Sequence, residues 1–300
     1  MLDGIEKLHE GQRPPKVFLL EWIGETLQGY DYRYKLYKDA IVELAGFYNA
    51  HGFKMMVLKG YACSLNWPKP EHRPCGDIDI WLFGKQPEAD CVIKEQLSVE
   101  IDNSHMHHTV FFWHDFMVEN HYDIVNTEAS RSNAKIEKIF KTVASDDNYS
   151  VDVCGEKIHI PSPNLHALFL LRHGMLHFTR GGLNLRQVLD WGFFVKENGS
   201  EVDWNWLMAV LDEYGMNDFF NCINSICVEE LGFSNELFPI CQFDESMRCR
   251  VVYDMLAPEF DGVEPQNFFA RIPFKLLRRK KLSWKHQIAY KESIGSHLLA

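Results

Sequence analysis

Apolar residues recur every three or four positions from Pro15 to about Ala50, at Leu19, Leu20, Ile23 and Leu27 and again at Leu36, Ile41, Leu44 and Phe47. That period describes two amphipathic helices, and His51-Gly52 ends the second, because glycine is the usual residue just past a helix. The pattern then switches to short strand-like runs over Lys54–Leu58, Asp77–Leu82, Thr109–Phe112 and Met117–Val125, with a helix over Glu88–Leu97 between the second and third. Trp113-His114-Asp115-Phe116 stands where a hairpin turn belongs, and Val151–Ile160 reads as a further strand pair around Cys154-Gly155. From Pro163 the period is helical again, most clearly over Leu165–His173. No internal repeat or low-complexity tract interrupts this order. Strands first and helices afterwards predict a small α/β or α+β domain followed by a helical one: N-terminal helices over 1–50, a mixed domain over 51–160 and a helical domain over 161–300.

Composition narrows the function. With 300 residues, 46% of them hydrophobic and 24% charged, the chain is long enough to bury a large core. A net charge of -11 opposes extended contact with a nucleic-acid backbone, so a small-molecule or protein partner is favoured over DNA or RNA. The eight cysteines include no Cys-x-x-Cys pair, which argues against a zinc ribbon or a thioredoxin-like site and for reduced thiols. No signal-peptide pattern opens the chain and no apolar run approaches the roughly 20 residues of a membrane span, so the expectation is a cytoplasmic protein with no membrane partner. The last residues, 293–300, stop on an apolar stretch without a helix-stop signal, an ending that suggests a chain cut short.

The candidate chemistry begins at Gly76-Asp77-Ile78-Asp79-Ile80. Residues two apart on a strand share a face, so Asp77 and Asp79 can offer two hard oxygen ligands to one Mg²⁺ while Ile78 and Ile80 point into the core. Taken alone, such a pair is as readily a solvated strand face. Gly76 leaves room for a phosphate beside the backbone, and Leu58-Lys59-Gly60 is a strand running into a glycine and a helix-compatible segment, a turn that offers backbone N–H groups to a triphosphate. Downstream, Glu119, His121 and Asp123 alternate on one strand face, and either carboxylate could be a third acid. Three carboxylates brought together repel one another unless a cation lies between them.

Leu58-Lys59-Gly60, Arg73-Pro74-Cys75-Gly76-Asp77-Ile78-Asp79 and Glu119-Asn120-His121 together resemble the poorly characterised bacterial nucleotidyltransferases called nucleotidyltransferase family 5, within the polymerase-β-like superfamily. The resemblance extends over residues 50 to 200. It implies a polymerase-β-like core, a small mixed sheet with flanking helices, followed by a C-terminal helical domain. It implies Asp77 and Asp79 as metal ligands, Glu119 as the third carboxylate and Gly60 at the triphosphate turn. Gly76, Arg73, Lys59 and His121 join Gly60 as expected nucleotide contacts. The implied activity is Mg²⁺-dependent (or Mn²⁺-dependent) transfer of a nucleoside monophosphate from an NTP, ATP being the expected one, to a hydroxyl of a small-molecule or protein acceptor, with release of pyrophosphate. Two departures stand out: Tyr61 follows Gly60 where the superfamily usually has serine, and Asn120 sits where an apolar residue is more usual.

Other groups receive plainer readings. Arg73 is expected to reach a phosphate as a fixed fork, its alternative being a loop pair with Glu71. His166, His173 and His177 fall on one helix stripe spanning about 16 Å, too far for one ion, and are expected to face a cleft between domains. His105, His107, His108 and His114 suggest zinc only weakly. Arg278-Arg279-Lys280-Lys281 reads as the charged face of a late helix, its alternative being a nucleic-acid grip, and Trp191, Trp204 and Trp206 read as core. Against the enzyme stands a non-catalytic nucleotide-binding or partner-binding protein on the same fold, since fold alone does not fix function.

Overall fold

The computed structural model describes residues 5, 8–125, 127, 131–145, 148–239, 242–260, 262 and 265–289, so the apolar ending at 293–300 lies outside the described residues. Contacts divide the chain into two compact units, 1–122 with 149–160, and 123–148 with 161–300. This division differs from a boundary at 160 in one respect: residues 123–148 leave the sheet unit and group with the later helices.

In the first unit, helix α1 (Lys16–Glu25) runs through a wider π-type stretch, Thr26–Tyr32, into α2 (Arg33–Ala50), one helical path instead of two separate helices. The α1 stripe is left uncovered, with Leu20, Ile23 and Leu27 all exposed. On α2 the buried stripe is Tyr37, Ile41, Leu44 and Tyr48, with Ala40 and Ala45 beside it, and Leu36 faces out. The helix is therefore seated by tyrosines that a count of aliphatic residues passes over.

Six strands form one mixed sheet in the order β3-β4-β2-β1-β6-β5. They are β1 (Met56–Val57), β2 (Ile78–Trp81), β3 (His108–Trp113), β4 (Phe116–His121), β5 (Ser150–Val153) and β6 (Glu156–His159). The central strand β2 is buried along its whole length, antiparallel to β1 and parallel to β4. The expected hairpins close as read: His114 takes a positive φ between β3 and β4, and Cys154 and Gly155 both do so between β5 and β6. Helix α3 (Tyr61–Ser64) is a single turn after Gly60, and α4 (Gln86–Leu97) connects β2 towards β3. The strand expected over Met117–Val125 stops at His121.

The second unit holds α5 (Arg131–Ser145), an element the apolar pattern left unassigned, then α6 (Pro163–Arg180), α7 (Leu185–Asn198), α8 (Trp204–Glu213), α9 (Asn217–Glu229), α10 (Glu245–Leu256) and α11 (Phe268–Ala289). Ile136, Phe140 and Ala144 form the buried face of α5, and Phe140 meets Phe169 of α6 edge-on at 6.4 Å. Trp191 is core, its Nε1 donating to Asn224 Oδ1 at 2.8 Å. His166 is also buried, against the Phe194 ring, while His173 stacks on Phe169, so the stripe is not a uniformly open surface. Arg278 to Lys281 are exposed or half-buried on α11. Each described cysteine is a free thiol, and among the described residues no helix is long and apolar enough to cross a membrane.

Candidate functional site

The site is assembled by strand register. On β2, Ile78 and Ile80 pack in the core, so alternation sends Asp79 to the opposite face of the sheet. Parallel pairing makes Glu119 of β4 the direct neighbour of Asp79, and His121 the neighbour of Trp81. Asp79, Glu119 and His121 thereby share one face, and ligand atoms of all three lie within 4.8 Å of one another. His121 Nε2 is 3.2 Å from Asp79 Oδ1 and 3.4 Å from Glu119 Oε2. Asp77 stands at the mouth just before β2, half-exposed, whereas Asp79 is buried.

Asp123 goes elsewhere. With β4 ended, its carboxylate pairs with Lys141 of α5 and accepts from Thr127 Oγ1 at 3.2 Å. Of the two acids the sequence left open, Glu119 is the one brought to Asp79. The ammonium of Lys59, an expected triphosphate contact, lies 2.9 Å from Asp79 Oδ1 and 3.5 Å from Asp77 Oδ2. Arg73 is buried, its Nη1 donating to the Pro74 carbonyl at 3.2 Å and to Cys75 Sγ at 3.4 Å. Tyr30, Arg33, Tyr34 and Cys75 line a shallow pocket with it.

Electrostatics follow from this crowding. Burial alone would raise the Asp79 pKa, but Lys59 and His121 outweigh it and hold the carboxyl well below its usual range. Burial would likewise lower His121, yet its bonds to Asp79 and Glu119 raise it to about 9. Glu119 is lowered chiefly by the His121 bond, and Lys59 is raised by Asp79 and Asp77 against the pull of burial. His108, on the neighbouring strand, is lowered by burial.

The turn at Gly60 is defined by close approach. Gly60 has φ +59°, and a Cβ there would lie 2.1 Å from Tyr37 Oη. That hydroxyl donates to the Asp77 carbonyl at 2.8 Å, tying α2 to the backbone that carries the acidic pair. Tyr37 is a site residue the sequence reading missed; its signal was a tyrosine at the centre of a helical core stripe. Ser64, four residues beyond Gly60, does not replace the missing serine, because its hydroxyl donates to the Tyr61 carbonyl at 2.7 Å and meets Tyr34 Oη at 2.8 Å. Gly76 is open, with nothing within 4 Å of a Cβ built on it.

The fit to a hard divalent ion can be judged from one atom. Asp79 Oδ2 is buried with no hydrogen-bond partner, and a carboxylate oxygen so placed costs several kcal/mol unless a cation or donor reaches it. With Glu119 beside it, the two carboxylates offer oxygens of the kind Mg²⁺ and Mn²⁺ prefer, while Asp77 at the mouth falls outside the group of ligand atoms that lie within 4.8 Å of one another.

A glycine turn, an acidic pair at the start of a central strand and a third carboxylate on the parallel neighbour are the layout of the nucleotidyltransferase class. A family model described as "Uncharacterised nucleotidyltransferase" matches residues 1–232, and the chain belongs to that family. Among solved structures, an antigenic nucleotidyltransferase-like protein from Paracoccidioides brasiliensis is similar at 14% identity and a TM-score of 0.38, over 53% of this chain and 75% of that one. No curated protein matches the chain.

Proposed function

We propose that this nucleotidyltransferase-family chain transfers a nucleoside monophosphate from an NTP, ATP first among them, to a hydroxyl of a small-molecule or protein acceptor. The reading is carried by Asp79 and Glu119 facing each other across a parallel strand pair, with Asp79 Oδ2 buried and unpartnered. Asp77, Asp79 and Glu119 are the residues that would hold Mg²⁺ or Mn²⁺, which when bound supplies Lewis-acid stabilisation of the triphosphate and of the attacking oxygen. The turn at Gly60 and the open backbone at Gly76 leave room for phosphates to approach the main chain. Lys59 balances the carboxylates and lies beside both aspartates, from where its ammonium can turn to a phosphate oxygen. The acceptor oxygen bonds to the α-phosphorus, the α–β bridging P–O bond breaks, and pyrophosphate leaves. Glu119, held ionised by His121, would complete the metal site beside the acceptor hydroxyl and favour loss of its proton to solvent. Arg73 Nη1 is bonded to Pro74 and Cys75 of its own loop, and a phosphate contact would compete with those bonds.

Thermal unfolding with each NTP, with and without Mg²⁺, tests the reading. At a ligand concentration a hundredfold above Kd the expected stabilisation is about 2.7 kcal/mol, present only with metal and abolished in Asp77→Ala with Asp79→Ala. Unchanged melting in every NTP and metal combination would refute it.

One observation favours a second reading, a non-catalytic nucleotide-binding or partner-binding protein: Lys59 already places a cation between the two aspartates. Metal-independent nucleotide binding, with no pyrophosphate released across an acceptor screen, is its signature.

A further inference from the structure

The histidine run before β3 converges on β4 beside the carboxylates. Ring centroids of His107 and His108 are 4.4 Å apart, those of His108 and His121 5.2 Å, and those of His107 and His121 5.7 Å. One ring nitrogen from each residue lies within 4.8 Å of the other two. The convergence comes from register, since His108 is the direct partner of His121 across the antiparallel β3–β4 ladder and the two side chains leave the same face. His107 is held alongside by its carbonyl, which accepts the Tyr122 N–H at 3.1 Å. His108 is only 7% exposed, and its Nδ1 is buried with no hydrogen-bond partner. His105 stacks on His108 at 4.7 Å but faces Asp102 and stands outside the trio.

Three imidazoles are poor ligands for Mg²⁺, which takes oxygen, and good ones for Zn²⁺ and its neighbours in the first transition row. We propose that His107, His108 and His121 form a binding site for a divalent transition metal of the Zn²⁺ class, adjacent to and chemically distinct from the oxygen donors of Asp79 and Glu119. His121 belongs to both groups. Its Nε2 lies 3.2 Å from Asp79 and 3.4 Å from Glu119, contacts that fix the orientation of the ring. Three protein ligands leave a fourth position of a tetrahedral ion open to water or an anion. The inference rests on the histidines alone and not on nucleotide transfer.

Cobalt(II) is the probe, titrated into the full metal-free chain without nucleotide while the visible ligand-field bands are followed. The expected result is one equivalent giving the intense bands of a four-coordinate ion, bleached by Zn²⁺ and untouched by excess Mg²⁺. In His108→Ala the bands vanish, and in His107→Gln, a milder change at a half-buried position, the affinity falls about tenfold or more. Should His108→Ala fail to fold by circular dichroism, His107→Gln decides. Three outcomes each overturn the site: no bands in the unmodified chain, bands displaced by Mg²⁺, or bands with undiminished affinity in His107→Gln. Because no nucleotide is present, none of these results bears on the transfer reaction.

Discussion

Gly60 is where one atom decides whether the acidic pair is placed correctly. Its positive φ alone costs any other residue about 1–3 kcal/mol, and an added methyl would meet the Tyr37 hydroxyl at 2.1 Å. Gly60→Ala is expected to lower stability by more than the backbone cost, and Gly60→Ala with Tyr37→Phe to recover part of the difference, read by urea unfolding of the single and double variants. Tyr37→Phe alone removes one bond to the Asp77 carbonyl, worth about 1 kcal/mol. Its larger expected effect is a smaller Mg²⁺-NTP thermal shift. The spacing of Asp77 and Asp79 beside a glycine is legible as a shared face, whereas the choice of Glu119 over Asp123 comes only with the family resemblance. Lys59 and Arg73 were legible as basic residues near the site but not in their contacts, since a long flexible side chain can reach any anion or carbonyl within its radius. Tyr37 could not be read, because a tyrosine in a core stripe shows its apolar ring in the periodicity and keeps its hydroxyl's partner hidden.

At the scale of the element, β4 serves two faces at once. Glu119 and His121 face the acidic site, while Asn120 between them points the other way and donates to Asp90 of α4 at 2.8 Å. Asp90 also accepts from Thr109 Oγ1 at 2.8 Å and Gln86 Nε2 at 3.1 Å. The polar residue that looked out of place in an apolar position is thus bonded to the helix packed behind it. Burial raises the Asp90 pKa against these three bonds. A carboxyl whose folded value is raised stabilises the fold most when protonated, and that contribution fades as pH rises through the folded value. Asp90→Asn removes the titration and turns an amide N–H toward donors. The stability gap between parent and variant is therefore expected to be wider near pH 4 than near pH 7, measured by denaturant unfolding at both. Strand and hairpin positions were legible from alternation and turn residues. The end of β4 was not, because Tyr122 and Asp123 continue its alternation while the chain leaves the sheet. Helix α5 was missed for a related reason: only Ile136, Phe140 and Ala144 of its fifteen residues form the buried apolar face, a stripe thin enough to disappear among lysines.

For the whole molecule, the excursion over 123–148 is the feature that residue patterns could not reveal. A boundary at 160 follows the change from strands to helices, but α5 packs its apolar face on α6, within the helical unit. A fragment ending at residue 160 is expected to expose Ile136 and Phe140, bind a hydrophobic dye strongly and aggregate. Replacing 124–147 in that fragment by a Gly/Ser linker is expected to reduce both signals. The linker must reach from β4 to β5, four strand spacings or about 19 Å across the sheet. The same interleaving bears on how the chain is made. Emerging from the ribosome in order, β1 waits beside β2 until β6 arrives to cover its other edge, and α5 is finished before the helix that shelters it has been translated. The sheet unit is complete only at residue 160, after α5 has been made, and no single cut point separates the two units.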